Sequence, residues 1–488
     1  MNSRKYSRPG LVALLVVAAA ACAPPPRVAP PAAPAAPPKP ELAKGPAVVG
    51  DELVALSVVG ANSGVLADKP SELVVRVRLA GKPRAPGKRP PVNLALVVDT
   101  SGSMEGPPIE AARAASLALL DALSVGDHLA LVTFHSSTEV RVPSTVLTKE
   151  SVEHVRAAIG RIKASGTTDL AGGLAAGLRE VQKSLDPQGV NRVVLLGDGV
   201  PNDPSPLESI AQSAGAQHVS ITALGLGLDY DETVMSQLAL RSGGKYHFIQ
   251  ESSKVAQVFT DEVLRLSQVS GRGLVLTLLP GPQVVIKDVV GLPAQRSGLK
   301  ASVLLGDLGE GASRDVFVRL TVPPRRAGAS VELLDAEVSL EHPTAPGQRL
   351  TSRGFLAVKA TAEVAALKEG RDKGVEHAAA RVGVADAIVR AVAEARAGNL
   401  AQARATLDAA EKEGRAAAKE FEDTELAEKV KGIGALRKTL PTLVPRPPPE
   451  EVAARGGGRP SLAPRPSPAS AEVVMKSQAE AMSTLQGQ

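Results

Sequence analysis

The hydrophobic pattern changes period several times along the chain, and each change marks a different kind of structure. Mainly apolar runs occupy 92–98, 128–134, 190–196 and 219–226, with a shorter one at 245–249. Between them lie segments whose apolar side chains recur every three or four residues, at 109–123, 152–162, 171–185, 207–216, 232–241 and 255–266. Runs that are apolar on both faces suit the buried strands of a parallel sheet, and the longer period suits crossover helices. Residues 91–268 therefore predict a doubly wound α/β domain. From 269 to 360 the pattern shortens to strands at 274–279, 283–290, 300–308, 314–322, 331–340 and 354–360, separated by Gly and Pro turns, which is an all-β signature. Two more strand-like runs, at 53–59 and 73–79, precede the α/β domain. A two-stranded ribbon is rarely stable alone. The 49–90 strands are therefore expected to join those of 269–360 in one all-β sandwich, with the α/β domain inserted in it or flanked by it. Residues 361–440 are rich in Ala, Glu, Lys and Arg at helical spacing, with helices meeting near Gly398 and Asn399 and another over 424–440. The Pro-, Arg-, Gly- and Ser-rich segment 441–488 predicts a disordered tail, with at most a short helix near its end.

Composition narrows the function classes. A chain of 488 residues accommodates several domains. Aromatics make up 2% with no Trp, so the cores are built from Leu, Val, Ala and Ile. The net charge of +5 is spread along the chain, without the concentrated basic footprint of a nucleic-acid binder. Lys82, Arg84, Lys88 and Arg89 lie in a proline-stiffened turn region and read as a solvated connection. Gly225 and Gly227 lack the lysine of a phosphate loop, so no nucleotide is expected. The single cysteine, Cys22, forms no internal disulfide. It follows Arg4, Lys5, Arg8 and an apolar run at 11–21 too short to span a bilayer, the anatomy of a secretory signal over 1–22. The Pro/Ala-rich stretch 23–48 predicts an extended, semi-rigid linker.

The first apolar run ends at Asp99 and continues as TSGSM. Ligand sites of open α/β sheets lie at the carboxyl ends of strands. Around Gly102, Asp99, Ser101 and Ser103 can converge there as hard oxygen donors for Mg²⁺, Mn²⁺ or Ca²⁺. The loop GTTDL at 166–170 brings a threonine hydroxyl towards the same edge, and Asp198 ends another strand there. Three hydroxyls and two carboxylates leave a divalent cation open to water or to an incoming acidic side chain. The seven histidines, at 128, 135, 154, 218, 247, 342 and 377, show no triad context, and no HExxH occurs. The expectation is no catalytic residues and no enzyme activity.

Taken together, Asp99-x-Ser101-x-Ser103, Thr168 and Asp198 resemble the metal-ion-dependent adhesion site of von Willebrand factor type A domains. The resemblance extends over about 92–266 through GDHLALVTF, SGTTDLAGGL, LLGDGVPND, ALGLGLDYDE and SGGKYHFI. It implies that Ser101, Ser103 and Thr168 bind the metal directly, and Asp99 and Asp198 directly or through water. Thr168 is preferred to Thr167 because it stands two residues before Leu170. Met104, Glu105 and Asn202 are expected to shape partner choice. The implied cofactor is Mg²⁺, with Ca²⁺ or Mn²⁺ as alternatives, and the implied function is non-catalytic binding of a protein ligand that offers an acidic side chain to the metal. Ala19, Ala20, Ala21 and Cys22 resemble the lipobox of a bacterial lipoprotein signal, departing from it at Ala19, where Leu or Val is usual. That implies lipidation of Cys22 and a lipid-anchored protein of the bacterial cell envelope. Ala23, where an inner-membrane retention signal has Asp, points to the outer membrane. Two alternatives stand beside this reading. One is an envelope scaffold whose helices at 362–440 bind the partner while the metal is structural. The other is an accessory subunit of a channel or metal-insertion complex.

Overall fold

Strands whose alternate side chains are buried open the fold: β1 (Val54–Gly60), β2 (Gly64–Leu66) and β3 (Ser71–Gly81). The computed structural model describes residues 53–83, 89–187, 189–197, 200–227, 230–251, 254–342, 345, 347–444 and 467–487. The expectations for the signal segment 1–22, Cys22, the linker 23–48 and Asp198 lie outside these residues.

The α/β domain follows as β4 (Val92–Asp99), α1 (Pro107–Ala122), β5 (His128–Phe134), β6 (Thr138–Val146), α2 (Lys149–Gly160), α3 (Leu170–Lys183), β7 (Val190–Gly197), α4 (Leu207–Ala216), β8 (Val219–Leu226), α5 (Glu232–Ser242), β9 (Tyr246–Ile249) and α6 (Val255–Ser267). Its sheet runs in the order β6-β5-β4-β7-β8-β9. All pairs are parallel except β5 with β6. Every residue of β4, β7 and β8 is buried, as the apolar runs require of central strands covered on both faces. The edge strand β6 is absent from the sequence reading. Of its side chains only Val142 is buried, and it carries Pro143; such a strand is tolerated at an edge and gives little hydrophobic signal.

After the domain come β10 (Val269–Pro280), β11 (Val285–Val289), β12 (Ala294–Ser297), β13 (Lys300–Gly309), β14 (Ser313–Val322), β15 (Ser330–Glu341) and β16 (Arg349–Thr361). They form two sheets together with the N-terminal strands, in the orders β1-β3-β14-β11 and β12-β13-β10-β15-β16-β2. β3 pairs antiparallel with β14 along its length, and β2 runs parallel to β16. The α/β domain is thus inserted between strands of two sheets that share partners across it. The sheets meet closely at Gly354, where a Cβ would lie 2.7 Å from Val58 and 2.8 Å from Leu56.

The chain ends in helices α7 (Val364–Glu369), α8 (Lys373–Arg396), α9 (Leu400–Glu420), α10 (Thr424–Thr439) and α11 (Pro468–Gln486). Asp372 and Asp423 cap α8 and α10, and Gly398 takes a φ of +84° at the turn between α8 and α9. The helix α11 corrects the expectation of a disordered tail with at most a short helix. It spans 19 residues and buries Val474, Met475, Gln478, Ala481, Met482 and Leu485 against α8, α10 and β9. The spacing of these residues is helical, but the stretch is diluted by Pro, Ser and Ala and lies beyond a proline-rich segment. Among the described residues no helix is long and apolar enough to cross a membrane.

Polar side chains fix the parts to one another. Arg192 of β7 reaches Asp307 of β13 at 2.9 Å and Thr222 at 3.1 Å. Arg272 of β10 donates to the carbonyls of Gly189 and His342 at 2.6 and 2.7 Å. On the other flank, Arg396 of α8 pairs with the fully buried Glu232 of α5.

Candidate metal site at the sheet edge

β4 delivers Asp99 to the carboxyl edge of the sheet with no exposure to solvent. Its Oδ1 accepts the backbone N–H of Ser101 at 2.8 Å, which turns the chain sharply. A one-turn 3-10 helix, Gly102–Met104, follows. Ser101 is buried and Ser103 exposed, yet their hydroxyls lie 3.0 Å apart. The turn thus brings the two serine hydroxyls together and holds the Asp99 carboxylate on the backbone beside them.

The threonine loop is bound to this turn through backbone hydrogen bonds. Gly102 N–H donates to Gly166 O at 2.9 Å, and Ser165 N–H to Thr100 O at 2.6 Å. Thr100 in turn donates from N and Oγ1 to Phe134 O at 2.8 and 2.9 Å, and Asp169 N–H donates to His135 O at 2.7 Å. Gly166 has a φ of +78°, and a Cβ there would sit 2.5 Å from Ser136 Oγ. Both the backbone conformation and the space require glycine.

These contacts separate the two threonines. Thr167 is exposed and engaged, its N–H donating to Ser136 Oγ at 3.0 Å and its Oγ1 accepting from Asn202 Nδ2 at 3.4 Å. Thr168 is 8% exposed, and its carbonyl accepts the Asn202 N–H at 3.1 Å. Asp198, the fifth expected donor, follows Gly197 of β7, where a Cβ would lie 3.3 Å from Asp99 Oδ2. Thr100, Ser136 and Gly166 hold the loops in register; of these Thr100 and Ser136 are not among the expected site residues, and the HSS triplet after β5 is the signal that points to Ser136. Met104 corrects another expectation. It is fully buried in the core with Leu96 and Val98, leaving Glu105, Asn202 and Ser136 exposed beside the site, with Val200, 56% exposed, two residues before Asn202. Asp203, next in sequence to Asn202, is held below the usual carboxylate range by hydrogen bonds from the Ser205 hydroxyl and backbone N–H.

Residues 93–262 match the von Willebrand factor type A domain family. The chain carries a von Willebrand factor type A domain. Domains of this family mediate protein–protein interactions, often with a divalent metal at the site that Asp99, Ser101 and Ser103 resemble. The uncharacterized protein sll0103 of Synechocystis is 28% identical over 262 residues, covering 51% of this chain and 62% of that protein. Human inter-alpha-trypsin inhibitor heavy chain H4 is 30% identical over 181 residues, 35% of this chain and 20% of that protein. The chain therefore spans less than two thirds of the length of these relatives. A solved structure titled von Willebrand factor type A from Catenulispora acidiphila superposes with a TM-score of 0.64 at 18% identity, covering 80% of this chain and 92% of that one. This coverage exceeds the α/β domain alone, so the shared fold includes structure beyond it.

The donor set suits a hard cation. Among the described residues no three His, Cys, Asp or Glu side chains gather into a metal-binding group; the donors here are chiefly hydroxyls. Adjacent oxygens in an octahedral Mg²⁺ shell at 2.0–2.1 Å are about 2.9 Å apart, and the Ser101 and Ser103 hydroxyls stand at 3.0 Å. The two serine hydroxyls fit neighbouring positions of such an ion.

Proposed function

We propose that this chain is a non-catalytic binding protein of the bacterial cell envelope, anchored in the outer membrane by a lipid on Cys22, whose von Willebrand factor type A domain captures an acidic side chain of a protein ligand. Ser101, Ser103 and Thr168 would hold Mg²⁺ directly, with Asp99 and Asp198 as its carboxylate partners. When bound, the ion supplies a positive charge with a coordination position open to an incoming carboxylate. The chain's own residues do the rest: the Asp99–Ser101 turn orients the hydroxyls, the bonds between Gly102 and Gly166 and between Ser165 and Thr100 hold the two loops together, and Val200, Asn202 and Glu105 surround the incoming group. The observation that carries the reading is the pair of hydroxyls at 3.0 Å on the carboxyl edge of β4, one of them buried.

The test is affinity capture from envelope extracts on the immobilised full chain, run with Mg²⁺ and with EDTA. A partner retained in Mg²⁺ and released by EDTA supports the reading; capture indifferent to the chelator overturns it. A second reading draws support from a groove of about 780 Å³ between α8, α10 and α11, floored by Val384, Ala385 and Ile388. There the helical region would hold the partner and the metal would only stabilise the domain, so that capture survives EDTA and is lost on substituting the groove floor.

A further inference from the structure

We infer that the outer face of the larger β-sheet carries a second binding site, specific for a neutral saccharide chain. The chain has nine aromatic residues, six Phe and three Tyr. Five of them, Phe134, Phe259, Phe317, Tyr230 and Tyr246, are buried in the cores. Among the described residues Phe355 is the one exposed aromatic, with 41% of its surface in solvent, and it lies on a sheet face instead of in a loop.

The strand register places its neighbours. Phe355 of β16 stands opposite Asp335 of β15, which stands opposite Leu279 of β10. One step along the strands, Arg353 stands opposite Glu337, and the two are joined at 2.6 Å. With Lys300 these side chains line a cavity of about 460 Å³, within the range of about 300–1,000 Å³ of small-ligand pockets. The two rows lie about 7 Å apart, and each extends about 10 Å across three strands.

The chemistry of the lining selects the ligand. Two carboxylates, one ammonium and one guanidinium sum to zero, so neither an anion such as a phosphate nor a cation finds a complementary field. An apolar ligand would desolvate all four charged groups and add no partner to the Arg353–Glu337 bridge, to Lys300 or to Asp335. A pyranose ring meets both demands. Its C–H face packs on Phe355 and Leu279, and its equatorial hydroxyls both donate, to Asp335 and Glu337, and accept, from Lys300 and Arg353. A flat face open at its margins suits internal sugar units of a chain. The site involves none of the residues of the metal edge, so its occupancy is independent of divalent ions.

The probes are neutral hexasaccharides, namely chitohexaose, maltohexaose, cellohexaose and xylohexaose, with a heparin hexasaccharide and a chitosan hexamer as anionic and cationic comparators. Binding to the full chain is measured by titration calorimetry and by saturation-transfer NMR, with and without EDTA. At least one neutral hexasaccharide should bind at millimolar or lower concentration, unaffected by EDTA. Phe355→Ala should weaken it by about tenfold, the order of one aromatic stacking contact, whereas Phe355→Tyr should retain it. Asp335→Ala, at an exposed position, should also weaken it and serves if Phe355→Ala unfolds the chain. Binding of no neutral hexasaccharide, binding only of the charged comparators, or undiminished binding by both alanine variants overturns the inference.

Discussion

The ion pair between Arg396 and Glu232 offers a sharp test of how the helical region is held to the von Willebrand factor type A domain. Arg396, at the end of α8, approaches Glu232 with Nε to Oε1 at 3.0 Å and Nη2 to Oε2 at 2.5 Å, and Asp231 at 3.5 Å. Glu232 has no solvent exposure. Burial pushes its carboxyl above the usual range, and the Arg396 guanidinium opposes that rise. Arg396→Met keeps most of the side-chain stem and removes the charge, leaving Glu232 buried without its cation. Breaking one side of a buried pair costs about 3–5 kcal/mol. The pH dependence has a definite sign. A carboxyl whose folded pKa is raised stabilises the fold fully below its unfolded pKa, about 4.5 here, and that contribution is lost as pH rises through the folded value. The deficit of Arg396→Met should therefore be full at pH 7.5 and shrink towards pH 4.5. Urea denaturation followed by circular dichroism at several pH values measures it. In the double variant Arg396→Met/Glu232→Gln the buried charge is gone, and stability at pH 7.5 should return to within about 1 kcal/mol of the parent. A deficit below about 1 kcal/mol, or one that does not change with pH, would refute the assignment of Glu232 as a charge dependent on Arg396.

Other predictions concern the metal edge and the C-terminal helix. Mg²⁺ at one hundred times its dissociation constant should stabilise the parent by about 2.7 kcal/mol; Asp99→Asn should abolish that increment in thermal denaturation, and an unchanged Mg²⁺ response would remove Asp99 from the site. Gly166→Ala forces a side chain onto a φ of +78° and against Ser136 Oγ. It should cost about 1–3 kcal/mol and weaken the Mg²⁺ response, and a stability equal to the parent's in urea would contradict the close approach. Met482→Ala empties a fully buried position of α11 and should cost about 2–5 kcal/mol, visible as faster amide exchange over 468–486; protection equal to the parent's would mean that the helix contributes no independent packing.

The parts of the fold that were legible in the sequence are those in which burial and period coincide. β4, β7 and β8 are buried at every position, so their apolar runs could not be mistaken for amphipathic helices. What escaped has weak burial or long-range causes. β6 buries one side chain and carries a proline, and α11 takes its stability from α8 and β9, far away in sequence. At the site, the spacing of Asp99, Ser101 and Ser103 was readable because a local turn brings them together. The arrangement that separates Thr167 from Thr168 was not, because it depends on Ser136 and Asn202, which arrive from other strands.

The inserted topology also decides what the site can reach. The chain enters the α/β domain at the start of β4 and re-enters the sheets at β10. Arg272 of β10 binds the carbonyl of Gly189, just before β7 begins. Asp127, just before β5 begins, accepts the Val92 N–H at 3.0 Å and pairs with Arg89 at 2.7 Å. The sheets thus grip the amino-terminal edge of the parallel sheet, whereas Asp99 and its hydroxyls stand at the carboxyl edge. An eight-residue strand separates the two edges by about 25 Å. A ligand docking on the metal edge therefore meets the loops after β4, β5 and β7 without displacing the two β-sheets. The face proposed for a saccharide and the metal edge share no residue, so ligands at the two would not compete.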